Sequence, residues 1–240
     1  MEPHPQTQSD LTSAVLAHLS ALAAAQSQPS ADGDAVPVDA SPSSAEWPPQ
    51  VSEGLPGPGY LVVLIGPVSL PLSAPLPPAV DGASGLAESV AAAKACFLDL
   101  GERGLCVSAQ AVGVGGLIAA LARLCASPYS LPVGCTVVLP TPVLTPEQPT
   151  APSLQQQLFT AMPGYYLLAI PGHRQAAARI LVAERGVPIW LLGRSTGSEL
   201  VIRTSDGPED NSFTEILRLP VAQLAQVLDP GLFPPPVPAE

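Results

Sequence analysis

Lysine is almost absent from this 240-residue chain: Lys94 stands alone beside eight arginines. Charged residues of both signs make up only 12%, and the first base is Lys94, so residues 1–93 carry nine acids and no base. Such a leader cannot neutralise phosphates, which argues against nucleic acid and anionic membrane as partners. Histidine is scarce as well. His4, His18 and His173 have no Asp or Cys near them in sequence, so a Ser-His-Asp or Cys-His catalytic set has little to build on. His173 reads as a first-turn surface residue rather than a base. The four cysteines (Cys96, Cys106, Cys125, Cys135) show no CxxC spacing and fall in apolar patterns. They read as reduced core thiols, with no metal site and no disulfide set. Long hydrophobic runs are missing too: 59–71 is interrupted by Pro67 and 112–126 by Arg123, so neither spans a bilayer. The first ten residues have neither the basic and apolar regions of a secretory signal nor the arginines of a transit peptide. A cytoplasmic location is the expectation.

Apolar residues reach 47%, ample for a core, while 31 prolines and 20 glycines imply much irregular backbone. Asp10 can cap a helix in which Leu11, Val15, Leu16, Leu19 and Leu22 share one face. Residues 1–27 are therefore an amphipathic helix. Residues 28–58, rich in Ser, Pro, Asp and Gly, are expected to be a disordered linker. The stripe could fold back on the domain or dock elsewhere; that tether anchors the helix poorly, so its aliphatic face is assigned to docking on a protein partner. Trp47, beside two prolines, has no evident core to join and could serve the same contact.

From residue 59 strands and helices alternate. Strands are expected at 60–65, 105–112, 135–139, 165–170, 187–192 and 199–203, and helices at 84–103, 115–126, 153–162, 173–185 and 220–228. Ser153 with Gln156 spells a capping box. Several strands are apolar on both faces, which means an α/β layered fold, a mixed sheet with packed helices. The unit spans 59–232, followed by a Pro-rich tail at 233–240. The acidic run 206–210 reads as a solvated turn rather than a calcium loop, because it lacks alternating oxygen ligands.

One segment has chemistry in its shape. Residues 107–121, VSAQAVGVGGLIAAL, read as strand, glycine-rich turn and helix. Glycines there let backbone approach a ligand, and the helix start offers N–H donors to a phosphate, which makes Gly113, Gly115 and Gly116 the candidate turn. Ile118 stands where a dinucleotide fold would want a third glycine, and no G-K-[ST] follows. The same glycines serve tight helix-on-sheet packing, and the residues alone favour packing.

The order of elements around this turn resembles the C-terminal domain of PurL-type formylglycinamidine ribonucleotide synthases, in the aminoimidazole ribonucleotide synthetase superfamily. The family motif S-x-H-D-[VI]-S-D-G-G-L lies opposite SAQAVGVGGL. A turn of the type LF-x-E-x-P-G-R lies opposite LFTAMPGYY, and AARILVAERGVPIWLLGR and LPVAQLAQVL resemble the family's closing elements. Upstream, YLVVLIGPVSLPLSAPL is similar to the strand and loop that carry a glycine pair and Ser in the family. The resemblance implies a PurM/PurL-like α/β fold over about 59–228. It also implies lost chemistry. The family's His falls on Gln110, its acids on Ala111, Val114 and Ala161, its Ser on Gly113 and its Arg on Tyr165, while Ser108, Val112, Gly115, Gly116 and Leu117 remain. A hard cation and triphosphate want carboxylates, so no catalytic residue, no metal and no cofactor is assigned. The family's preceding domain, which supplies much of the ATP site, has no counterpart in the acidic leader.

The expected function is that of a non-catalytic structural or interaction protein within a larger assembly, a PurL-like pseudoenzyme similar in kind to herpesvirus tegument proteins, with virion or complex association left open. Its alternatives are a split subunit of the synthase and a small nucleotide- or phosphate-binding module. Oligomeric state is not legible.

Overall fold

The computed structural model describes residues 5–26, 47–67, 82–128, 130–139, 153–205 and 212–228. Most of the expected linker, the Pro-rich excursion beyond Pro67, the acidic run at 206–210 and the tail lie outside these residues. In chain order the elements are α1 (Pro5–Gln26), β1 (Leu61–Ile65), α2 (Gly82–Glu102), β2 (Ser108–Ala111), α3 (Gly116–Cys125) and β3 (Cys135–Leu139). Then follow α4 (Leu154–Phe159), β4 (Tyr166–Ile170), α5 (Gln175–Glu184), β5 (Ile189–Ser195), β6 (Glu199–Ser205), β7 (Phe213–Pro220) and α6 (Val221–Leu228).

The seven strands form one sheet in the order β2-β4-β1-β5-β3-β6-β7. All neighbours run antiparallel except β3 and β6, which are parallel. The sheet is therefore mixed. Strand β1 sits in its middle, paired with β4 and β5, and all five of its residues are buried. That explains its unbroken LVVLI: with helices on both faces, alternation has no solvent side to mark. Val62 and Leu64 point into one core with Leu117, Leu121, Val137, Leu200 and Leu224, under α1, α3, α4 and α6. Leu61, Val63 and Ile65 point into the other with Phe97, Leu100, Leu168 and Leu181, under α2 and α5. Helices thus cover both faces of the sheet around β1, β4 and β2, while β3 and β5 combine buried with more exposed positions.

Helix α4 begins as its sequence dictates. The Gln156 N–H donates to Ser153 Oγ at 3.2 Å, and the Ser153 N–H donates to Gln156 Oε1 at 2.8 Å. The box satisfies two backbone donors that the first turn would otherwise leave unpaired.

Strand β7 was not foreseen. Leu217 and Leu219 are buried while Arg218 and Pro220 between and after them are exposed, a period of two confined to the end of an eight-residue edge strand. A register shift at Ile202/Arg203 interrupts the pairing with β6. Arg218 ties the two strands together, donating to both Glu215 oxygens at 2.7 and 2.8 Å and to Glu199 Oε2 at 2.6 Å. These bonds, with Arg203 nearby, hold the Glu215 carboxyl below its ordinary value. The sign follows: whatever stability Glu215 contributes is present above the ordinary carboxylate pKa and is lost as pH falls through the depressed folded value. An NMR titration should find Glu215 depressed in the parent and returned to the ordinary range in Arg218→Met. An unchanged midpoint would show that the ion pairs are not formed in solution.

Element ends shift by a few residues, as in β5, which runs Ile189–Ser195, and two assignments differ in kind from the sequence reading. Residues 47–58, expected to belong to the linker, are packed. Val51 and Leu55 are buried, and the Ser52 backbone brackets the outer edge of β2, receiving from Ala109 N–H and donating to Val107 O. Trp47, which the sequence left without an evident core to join, meets Phe97 edge-on with ring centroids 5.6 Å apart, and Phe97 stacks on Tyr166 at 4.8 Å. Aromatic area outweighed the Pro- and Ser-rich composition.

The second correction concerns α1. Its aliphatic face packs against its own domain rather than lying free for a partner. Leu11 is 7% exposed and Val15 and Leu19 are 0%, all within the core over β7 and α6. Leu16 and Leu22 pack beside them, partly buried. The helix also starts a turn and more before Asp10, at Pro5, a residue suited to a helix's first position.

Candidate functional site

The candidate site is built by the end of β2, the turn after it and the first turn of α3. Gly115 is the residue before α3 and has φ +93°, and Gly116 follows at +69°. Both lie in the left-handed region that only glycine enters without strain. The Gly116 N–H closes the turn onto Gly113 O at 3.0 Å. So the structure does bring the three predicted glycines together at a helix start. Their surroundings define what the turn can do.

Two elements press on it. A Cβ on Gly116 would meet the backbone at the end of α4, 2.5 Å from Leu158 O and 2.6 Å from Phe159 C. A Cβ on Gly115 would strike the Leu22 side chain of α1. His18, one turn before Leu22, donates from Nε2 to Gly115 O at 3.3 Å, and its ring lies 4.6 Å from that of Phe159. Side chains of α1 therefore occupy the space over the turn. No sequence signal pointed to His18. It sits one position before Leu19, off the stripe that drew the eye.

The motif positions before the turn have also found partners within the chain. Ser108 Oγ donates to Gly54 O at 2.6 Å and lies 2.9 Å from Ser52 Oγ, while Gln110 Nε2 donates to Glu53 O at 2.6 Å. Both residues are buried. These side chains hold 52–54 against the sheet edge, so they do not reach toward a ligand. Ala111 is half-buried, and Val114 and Ala161 are exposed. None of the three carries an oxygen on its side chain. Among the described residues no group of three or more His, Cys, Asp or Glu is placed to hold a metal ion. His173 is exposed in a short 3-10 turn, Gly172–Arg174, at the start of α5.

All four cysteines are buried and free. Burial pushes the Cys96 thiol up to about 11 and the Cys106 thiol up to about 12. Groups held protonated in this way are poor nucleophiles. Elsewhere, a groove of about 320 Å³ runs between α1, α4 and β7, with Leu11, Leu154 and Ile216 at its floor and Asp10 and Glu215 beside them. Ile180 on α5 and Leu191 on β5 are large aliphatics left outward, 60% and 56% exposed. No helix among the described residues is long and apolar enough to cross a membrane.

A seven-stranded mixed sheet layered between helices, entered by a glycine turn at the head of α3, defines an α/β domain of the PurL/PurM type. The chain resembles PurL itself. It is 34% identical over 131 residues to the phosphoribosylformylglycinamidine synthase subunit PurL of two strains of Thermus thermophilus. That match covers 55% of this chain and 16% of the relative, so the chain corresponds to a small part of those proteins. Among solved structures it superposes on Thermotoga maritima PurL complexed with ATP with a TM-score of 0.52 at 19% identity. There it covers 73% of this chain and 27% of that one. The PurLQS structure from Thermotoga maritima gives 0.52 at 17% identity with the same coverage. No family model matches the chain.

Proposed function

We propose that this protein is a non-catalytic interaction or scaffold protein built on a PurL-type domain. The observation that carries the reading is the closure of the glycine turn by α1: Leu22 and His18 stand where a phosphate would approach Gly115. A ligand there would have to displace a helix whose neighbouring residues, Val15 and Leu19, are buried in the core. The second support is chemical. Ala111, Val114 and Ala161 offer no carboxylate to a magnesium ion, and Ser108 and Gln110 already bond to backbone. With α1 committed to its own domain, the partner surface is sought on the body instead. The outward Ile180 and Leu191 are its starting points, since exposed large aliphatics favour association.

A second reading has its own support. The chain matches 16% of the length of PurL relatives that are named as subunits, and one solved relative is the PurLQS structure. A split subunit would complete its nucleotide site with another chain. One experiment puts the scaffold reading at risk. The full chain is melted with and without millimolar magnesium and ATP, and nucleotide hydrolysis is assayed in parallel. The scaffold reading expects a midpoint unchanged within about 1 °C and no turnover, because ligand binding must raise the midpoint by mass action. Saturable stabilisation by ATP would overturn it and favour the split subunit.

A further inference from the structure

The four cysteines divide between the two faces of the sheet. Cys96 and Cys106 lie in the core under α2 and α5. Cys125 and Cys135 lie in the other core. Cys125 is the last residue of α3 and Cys135 the first of β3, and their Sγ atoms are 3.4 Å apart. Sulfurs at that separation touch. A disulfide needs them at about 2.05 Å, so some closing is required, within the reach of small side-chain rotations.

We propose that Cys125 and Cys135 form a latent disulfide, closed by a two-electron oxidant of the peroxide class, that clamps the end of α3 to the start of strand β3. The chemistry balances with hydrogen peroxide. One thiol loses its proton and its sulfur attacks a peroxide oxygen. The O–O bond breaks, hydroxide leaves and takes up the proton as water, and a sulfenic acid remains. The second thiolate attacks that sulfur and expels hydroxide, which leaves as a second water. Two thiols are oxidised by two electrons to one S–S bond, and one peroxide is reduced to two waters.

The surroundings explain why the bridge is latent. Both cysteines are wholly buried. Hydrogen bonding to Cys135, together with burial, holds the Cys125 thiol well above its ordinary range. The attacking thiolate is therefore scarce in the closed fold, and reaction proceeds through molecules that have opened locally. The clamp would enclose the segment between α3 and β3, in which the Val133 N–H already donates to Cys125 O at 3.0 Å. Little rearrangement of that backbone is needed. Joining the ends removes chain entropy from the unfolded state.

The test uses the full chain, exposed to hydrogen peroxide in native buffer and again in mild guanidinium. Remaining thiols are then alkylated, and the protein is digested without reduction and mapped by mass spectrometry. The expected result is one cross-linked species joining Cys125 to Cys135, two hydrogens lighter than the thiols, formed faster in mild denaturant. A rise in thermal midpoint of roughly 5 °C should accompany it and be abolished by dithiothreitol. Cys135→Ser and Cys125→Ala should each lose the cross-link and the rise. Bridging to Cys96 or Cys106 instead would overturn the proposal. So would stepwise oxidation of Cys125 to sulfinic acid, or two fully alkylated thiols after prolonged exposure. The map on the parent protein decides even where a variant fails to fold.

Discussion

Deleting residues 1–27 should lower the thermal midpoint by more than about 10 °C, or leave a chain that does not fold at room temperature. Val15 and Leu19 are wholly buried and Leu11 nearly so, over β7 and α6. Truncating one buried leucine costs about 2–5 kcal/mol, and a domain of this size loses about 2–4 °C for each kcal/mol. Leu19→Ala alone should therefore depress the midpoint by roughly 5–15 °C. Ala24→Gln, on the exposed side of the same helix, should change it by little. Removing the whole helix strips three such contacts and uncovers the core beneath, which approaches the entire net stability of a typical domain. Circular dichroism melts of the three variants settle the matter. A deletion that melts with the parent would detach α1 from the fold and return its aliphatic face to a partner.

The misplacement of α1 has a physical cause. The residues 27–46 that separate it from the next described segment permit docking elsewhere, yet a connection of that length also keeps the helix near its own domain, at an effective concentration on the order of millimolar. Tether length sets reach, not destination. What decides is whether the body offers an apolar trough, and no single stretch of sequence displays one. Here β7 and α6 form it with Leu217, Leu219, Val221 and Leu224, and β7 was itself hidden. Its alternation is brief, and the shift at Ile202/Arg203 lets Ile216 join the core alongside Leu217.

Elements whose signals are local were legible. The bounds of β3 came out as read, Cys135–Leu139, and the Ser153 box set the start of α4. Residues 47–58 were not, because Pro, Ser and Gly in the composition outweighed Trp47, Val51 and Leu55, spaced four apart. For the candidate site, the glycines and the loss of acids were visible one residue at a time. That Ser108 and Gln110 bond to the backbone of residues 53 and 54, and that His18 reaches Gly115, depends on contacts across 54 to 97 positions of sequence. No periodicity encodes such pairs.

Gly116→Ala tests whether the turn is kept for packing. With φ at +69°, any L side chain at 116 is held in the left-handed region, at a cost of about 1–2 kcal/mol. The added Cβ would also lie 2.5 Å from Leu158 O, 2.6 Å from Phe159 C and 2.8 Å from Thr160 O, all main-chain atoms that cannot rotate aside. The loss should therefore be about 2–5 kcal/mol, counting overpacking of about 1–3 kcal/mol. Gly115→Ala should lose less. Its φ of +93° is just as unfavourable and Ala119 Cβ, 2.7 Å away, cannot move aside, but the flexible end of Leu22 can give way and no main-chain atom is among its nearest contacts. Gly57→Ala, with open space around the site and no positive φ, is the neutral control. Guanidinium unfolding at equilibrium measures all three, and the expected order of damage is 116, 115, 57. If Gly116→Ala unfolds with the parent, α4 does not press on the turn in solution. The glycine would then be spared for an approaching ligand, and the phosphate reading of the turn would regain the ground that packing holds.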